Sequence, residues 1–167
     1  MSVRIAINPI TWTNDDVPEL GGDTPVETCL AETRAAGYAG TELGGKFPRD
    51  SAVLGPILDG YGLALVGGWW DGRICERAVE EEFDALLPHL TLHRDLGAGR
   101  VVYADTSRGR HGGIWAPISR RPALSDDEWI PYGRKVTALA EKMAEFGVPM
   151  AFHHHMGTIV ESDAEVD

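Results

Sequence analysis

Five short apolar runs, each followed by a helical pattern, alternate along 167 residues and constrain this chain more than any single motif does. Val3-Arg4-Ile5-Ala6-Ile7-Asn8 alternates apolar and polar positions before Pro9, which predicts a first strand ending in a loop. Thr24-Pro25-Val26-Glu27 has the N-cap, first-turn proline and acidic position of a capping box. A helix is therefore expected from there to Gly37, with Val26, Cys29, Leu30 and Thr33 on one face. Tyr38 to Leu43 predicts a second strand. Asp50 is placed to cap a second helix with Val53, Ile57 and Leu58 inward, and Leu63-Ala64-Leu65-Val66 predicts a fully buried third strand.

The third helix is expected from Glu76 to about Leu96, with Val79, Phe83, Leu86 and Leu90 in helical spacing and a kink or restart at Pro88. Arg100 to Ala104 predicts the fourth strand, followed by a long polar segment with Pro117 and Pro122 that is too irregular to be filler. Ser125-Asp126-Asp127-Glu128 is a second capping box. Behind it Trp129, Tyr132, Val136, Leu139, Met143 and Phe146 repeat at three and four residues up to Gly147, the clearest helix in the chain. Val148 to His153 predicts the fifth strand, and Ser162 to Glu165 repeats the capping pattern.

Strands alternating with helices imply a parallel sheet with right-handed crossovers. No GxGxxG follows the first strand, so the dinucleotide-binding open sheet loses its main signature. Two architectures remain: a flavodoxin-like open sheet of five strands, and a (β/α)8 TIM barrel. Eight units need about 250 residues. The reading taken forward is an α/β chain, a TIM barrel truncated to about its first five βα units. Residues 1–167 then form one domain, the N-terminal portion of a barrel, with three units absent.

Charge narrows the partners. With 26 acidic residues against 15 basic ones, the net charge of −11 opposes non-specific binding to nucleic acid or to an anionic membrane. The first residues lack the long apolar stretch of a signal peptide, and no apolar run approaches the roughly 20 residues that span a bilayer, so a cytoplasmic location is expected. Cys29 and Cys75 have no CxxC or ligand spacing and are expected to be reduced packing residues.

In parallel α/β folds the ligand site lies beyond the C-terminal ends of the strands. Those junctions carry Asn8 and Trp12, then Glu42 and Lys46, then Trp69 and Trp70, then Tyr103 and Asp105, and finally His153-His154-His155. Aromatic groups wall a small-molecule pocket, amides and charges orient hydroxyls, and histidines supply metal ligands or proton transfer near neutral pH. Strand periodicity puts His153 and His155 on one face and His154 on the other, toward the helices. Glu42, Lys46 and His155 are the candidate catalytic residues, expected to project into one pocket. Asn8, Trp12, Trp69 and Tyr103 are the candidate substrate contacts, and His153 is the candidate metal ligand. Glu42 and Lys46 have a blander reading as a surface ion pair, and the tryptophans as core.

Five stretches together carry a more specific signal: Ile7 to Asp16, Glu19 to Pro25, Glu42 to Pro48, Leu124 to Trp129 and His153 to Thr158. Along the whole chain these resemble the inosose dehydratases of the xylose isomerase-like barrel superfamily. The resemblance implies a lyase that removes water from 2-keto-myo-inositol in inositol catabolism, with manganese or cobalt polarising the carbonyl and glutathione as a candidate further cofactor. A Lewis acid on the ketone would stabilise the enediolate formed by loss of the neighbouring proton. Relatives carry a glutamate ligand where this chain has His153, and the later ligands are expected beyond Asp167. Asp105 also stands where a glutamate is expected, and the Thr106 to Ile114 loop, with Arg108, Arg110 and His111, is unusually basic. An isomerase or epimerase of the same superfamily is the competing activity. A catalytically incomplete fragment is the third reading, its open sheet edges making a homo-oligomer the expected state.

Overall fold

A computed structural model describes residues 3–110 and 115–166. His111 and Ile114 of the basic loop, and Asp167, lie outside the described residues. Five strands form a sheet in the order β1-β2-β3-β4-β5: Ala6–Ile7, Gly40–Leu43, Ala64–Gly72, Val101–Asp105 and Met150–Phe152. Helices α1 (Val26–Ala35), α2 (Ser51–Tyr61), α3 (Val79–Asp95) and α4 (Asp126–Phe146) lie between successive strands, and α5 (Asp163–Val166) follows the last. This sequential order excludes the flavodoxin-like alternative, in which the first strand lies between the second and third. The strands β1 and β2 are parallel with Ala6 opposite Gly40, and β2 and β3 are parallel with a bulge between Thr41 and Glu42.

Several local expectations change. The first strand is two residues long, because Val3 and Ile5 are exposed and only Ala6 and Ile7 pair with β2. Helix α1 starts from Pro25 with no side-chain cap, so the capping box expected at Thr24 does not form. In α2, Asp50 caps as expected by accepting from the Ala52 N–H at 2.8 Å, and Leu58 and the half-buried Ile57 face the core as expected, but the third inward residue is Leu54 while Val53 faces solvent. Strand β3 runs to Gly72 rather than stopping at Val66, and Val66 is exposed, so it is not buried on both faces. Helix α3 begins at Val79 rather than Glu76 and runs on through Pro88 to Asp95. Helix α4 forms as expected, with the Ser125–Glu128 capping box at one end and Gly147 in the left-handed conformation (φ 96°) at the other.

The chain divides into two compact units. The first holds the described residues up to Trp69 together with His89–Val101. Its core is leucine-rich: Leu30 of α1, Leu43 of β2, Leu54 and Leu58 of α2, Leu65 of β3 and Leu92 of α3 close over Phe47 and Leu63. The second holds Trp70–Pro88 and the residues from Val102 onward. Its buried side chains include Ile74, Leu86, Tyr103, Leu139, Met143 and Ile159, and also two carboxylates, Glu82 and Asp105.

Candidate active site

In the first unit the parallel register sets the ends of β1 and β2 side by side. Asn8 follows β1, and its Oδ1 accepts from the Ile10 N–H at 2.8 Å, capping a single 3₁₀ turn at Pro9–Thr11. Its Nδ2 donates to Glu42 Oε2 at 2.5 Å, so the first two strand ends present a joined amide and carboxylate. Lys46 does not pair with Glu42. Its Nζ donates to the carbonyls of Gly22 (2.8 Å) and Thr24, while the Gly45 N–H donates to Asp15 Oδ2 at 2.9 Å. Together they fasten the 13–24 loop to the end of β2. Trp12 turns toward α1, where its indole N–H donates to Glu32 Oε2 at 2.5 Å. Trp69 lies on β3 and, by strand alternation, on the face opposite Trp70.

In the second unit a carboxylate that sequence reasoning passed over organises the strand ends. Glu82 of α3 is fully buried. Its Oε1 accepts from Trp70 Nε1 (3.0 Å), the Arg73 N–H (3.1 Å) and the Tyr103 hydroxyl (3.2 Å), and its Oε2 takes an ion pair from Arg77 at 2.9 Å. Tyr103, expected to meet substrate, is itself fully buried. Its hydroxyl accepts from the Ile74 N–H at 3.3 Å, and Gly72 makes room for its ring, which would overlap any Cβ there. Asp105, the last residue of β4, accepts from the Cys75 and Ser107 N–H groups at 3.0 Å each, and burial raises its carboxyl above the usual range. The two carboxylates thus anchor both ends of the 73–75 turn.

The three histidines follow β5 rather than ending it. The His153 N–H donates to the Tyr103 carbonyl at 2.8 Å, and the His153 ring lies 5.6 Å from that of His154 and 5.8 Å from that of His155, centroid to centroid. His155 is held most firmly: its N–H donates to the Val160 carbonyl, its carbonyl accepts from the Thr158 N–H and hydroxyl, and its Nδ1 lies 2.9 Å from the Met156 carbonyl. His154 borders a groove beside Tyr132, Gly133 and Val136 of α4, the helix side expected for it. Among the described residues no three histidine, cysteine or acidic side chains are grouped to hold a metal ion. The described donor set therefore does not fit a divalent ion by itself. Neither cysteine is in a disulfide, and among the described residues no helix is long and apolar enough to cross a membrane.

Glu82 was hidden because Glu80-Glu81-Glu82 reads as a solvated acidic run, although its spacing of three from Val79 and four from Leu86 puts it on the inward face of the helix.

No family model matches the chain. Individual proteins do. It is 73% identical over all 167 residues to the rhizopine catabolism protein MocC of Rhizobium meliloti, covering 51% of that protein. It is 37% identical over 165 residues to the inosose dehydratase of Erwinia tasmaniensis, covering 99% of this chain and 55% of that one. This chain is a relative of the inosose dehydratases. As such it spans about half the length of the curated relatives it matches. Among solved structures, an L-ribulose 3-epimerase superposes with a TM-score of 0.61 at 20% identity over 92% of this chain and 50% of its own. A xylose isomerase-like TIM barrel protein of Mycobacterium smegmatis in complex with magnesium gives 0.63 at 17% identity over 98% and 58%. At such identities the likeness shows the fold. Over the part it spans, the chain has the fold of the xylose isomerase-like barrels.

Proposed function

We propose that this chain is the N-terminal portion, a single domain, of a dehydratase that converts 2-keto-myo-inositol to a trihydroxycyclohexane-dione. The similarity to inosose dehydratases along 99% of its length carries the reading. The reaction removes the proton beside the ketone, leaves an enediolate, and expels the hydroxyl one carbon further as water once protonated. Asn8, Trp12 and Trp69 are assigned to the substrate, and Tyr103 to holding the buried Glu82 in place beneath the strand ends. Glu42 and Lys46 are assigned to proton transfer, and His155 to protonation of the departing hydroxyl. His153 is proposed as one donor to a divalent ion, manganese or cobalt, whose other donors are not grouped among the described residues. Bound glutathione remains part of the proposal, as do a cytoplasmic location and homo-oligomeric assembly. No step above depends on any of them.

The test is incubation of the protein with 2-keto-myo-inositol and added manganese or cobalt. Growth of an ultraviolet-absorbing dione supports the dehydratase. An isomeric ketose with all hydroxyls retained assigns the chain to the epimerase alternative. No conversion by the chain or by its extension with a relative's remaining sequence removes the dehydratase reading. The 73% identity to a rhizopine catabolism protein favours a second reading, action on a rhizopine-derived ketone, and faster turnover of that compound than of 2-keto-myo-inositol would select it.

A further inference from the structure

In the second unit, residues 157–160 lie between β5 and α5, belong to neither, and are all buried. Carbonyls buried outside a ladder need donors brought to them from elsewhere. Arg121, its side chain only 23% exposed, brings two: Nη1 donates to the Thr158 and Ile159 carbonyls at 3.2 and 3.3 Å. Its Nη2 pairs with Glu165 Oε1 at 2.6 Å, and its Nε lies 3.6 Å from Glu161 Oε2. That Glu161 oxygen also accepts from the Gly157 N–H at 2.6 Å, and the Gly157 carbonyl accepts from the Arg110 N–H at 2.8 Å. Only a planar fork of fixed donors reaches two carbonyls and two carboxylates in one geometry; a lysine ammonium is a point charge on a flexible stem.

What this turn holds is His155. The His155 N–H donates to the Val160 carbonyl at 3.0 Å, and its carbonyl accepts from the Thr158 N–H and hydroxyl at 3.2 and 2.7 Å. Its ring Nδ1 lies 2.9 Å from the Met156 carbonyl. A carbonyl only accepts, so Nδ1 carries the hydrogen and the lone pair of the neutral ring lies on Nε2. We propose that Arg121 is a positioning residue for His155: by clamping the Thr158 and Ile159 carbonyls it keeps the turn closed and the imidazole in its Nδ1–H tautomer, so that Nε2 is the nitrogen that exchanges a proton with substrate. In the elimination, Nε2–H of the protonated ring gives its proton to the departing hydroxyl as the C–O bond breaks. The enediolate electrons re-form the carbonyl and a carbon–carbon double bond, and the ring is left neutral with its hydrogen on Nδ1. That step rests on the dehydratase reading; the clamp and the tautomer do not.

The experiment records the imidazole ¹⁵N shifts of the labelled chain at about pH 8.5, where a neutral ring reports its tautomer, with His155 assigned by its loss in His155→Gln. Arg121→Met, Arg121→Lys and, as a control, the exposed neighbour Arg120→Met are compared with the parent. The expected result is an Nδ1–H ring at His155 in the parent and in R120M, and a shift toward a mixture of tautomers in R121M. R121K, which keeps the charge beside Glu165 but not the fork, is expected to show part of that shift and decides the matter if R121M does not fold. An Nδ1–H signal unchanged in R121K and in any folded R121M overturns the proposal, as does an equal change in R120M or a parent ring that carries its hydrogen on Nε2. With 2-keto-myo-inositol as substrate, R121K is expected to lower kcat about tenfold or more while KM stays within about threefold. Absence of turnover in the parent removes the dehydratase reading, and the ring spectrum still decides whether Arg121 sets His155.

Discussion

Removing a single carboxylate tests how the strand ends are held. Glu82 satisfies an indole N–H, a backbone N–H, a buried phenol and a guanidinium at once. Glu82→Ala strands the first three without acceptors, while Arg77, about one-third exposed, regains water. The expected loss is about 3 kcal/mol, measured by urea unfolding, against about 1 kcal/mol for Tyr103→Phe, which removes one hydroxyl. Equal losses would show that Glu82 does not organise the cluster. His155 and His154 offer a second contrast at the same scale. His155 is fixed by the turn that follows β5 and His154 borders the apolar groove. Under the proposed reaction His155→Ala is expected to lower turnover by about 10²–10⁴-fold, the usual worth of a positioned acid, while His154→Ala leaves the rate within a few-fold. Equal small losses would return the cluster to a purely structural role.

At the scale of elements, α3 carries a built-in acid sensitivity. His89 and His93 are one turn apart and both buried, with ring centroids 4.2 Å apart. Burial, together with the charges of His93 and Arg49, pulls His89 down to about 3, and burial lowers His93 against the hydrogen bonds of the His89 and Gly67 carbonyls. A histidine whose folded pKa is depressed takes up its proton more readily in the unfolded chain. The stability it supports is therefore present above the ordinary value of 6.5 and is lost as pH falls from there toward 3. Denaturation measured between pH 7 and 4 is expected to show falling stability, with a shallower slope in His89→Gln. An unchanged slope in that variant would remove the pair as the cause.

Across the whole molecule, protection should follow packing. The leucine core of the first unit closes α2, β2 and β3 around fully buried side chains, whereas β1 is a two-residue strand preceded by Val3 and Ile5 at 87% and 64% exposure. Hydrogen exchange is expected to be slowest in the amides of α2 and β3 and fastest before Ala6, because local opening needs little apolar surface to be exposed there. Fast exchange in α2 would mean that the core is not the stable centre of this unit. The net charge of −11 acts at the same scale, setting a field that repels polyanions without choosing any fold.

The alternation of strand and helix, the Asp50 and Ser125 caps and the 21-residue α4 were legible in the residues, because all are set within a turn or a pleat. The likeness to inosose dehydratases was legible for the same reason, as it lies in contiguous stretches of sequence. What no local rule contained was the sequential strand order, the partners of Lys46 and Trp12, and the partners that bury Glu82 and Tyr103. Lys46, Trp12 and Tyr103 meet partners 20 or more positions away, and Glu82 takes Tyr103 from 21 positions away and Trp70 from 12. A buried carboxylate and a solvated one share the same local sequence pattern, and only the packing around α3 and β4 supplied the phenol, indole and amide donors that make burial of Glu82 favourable.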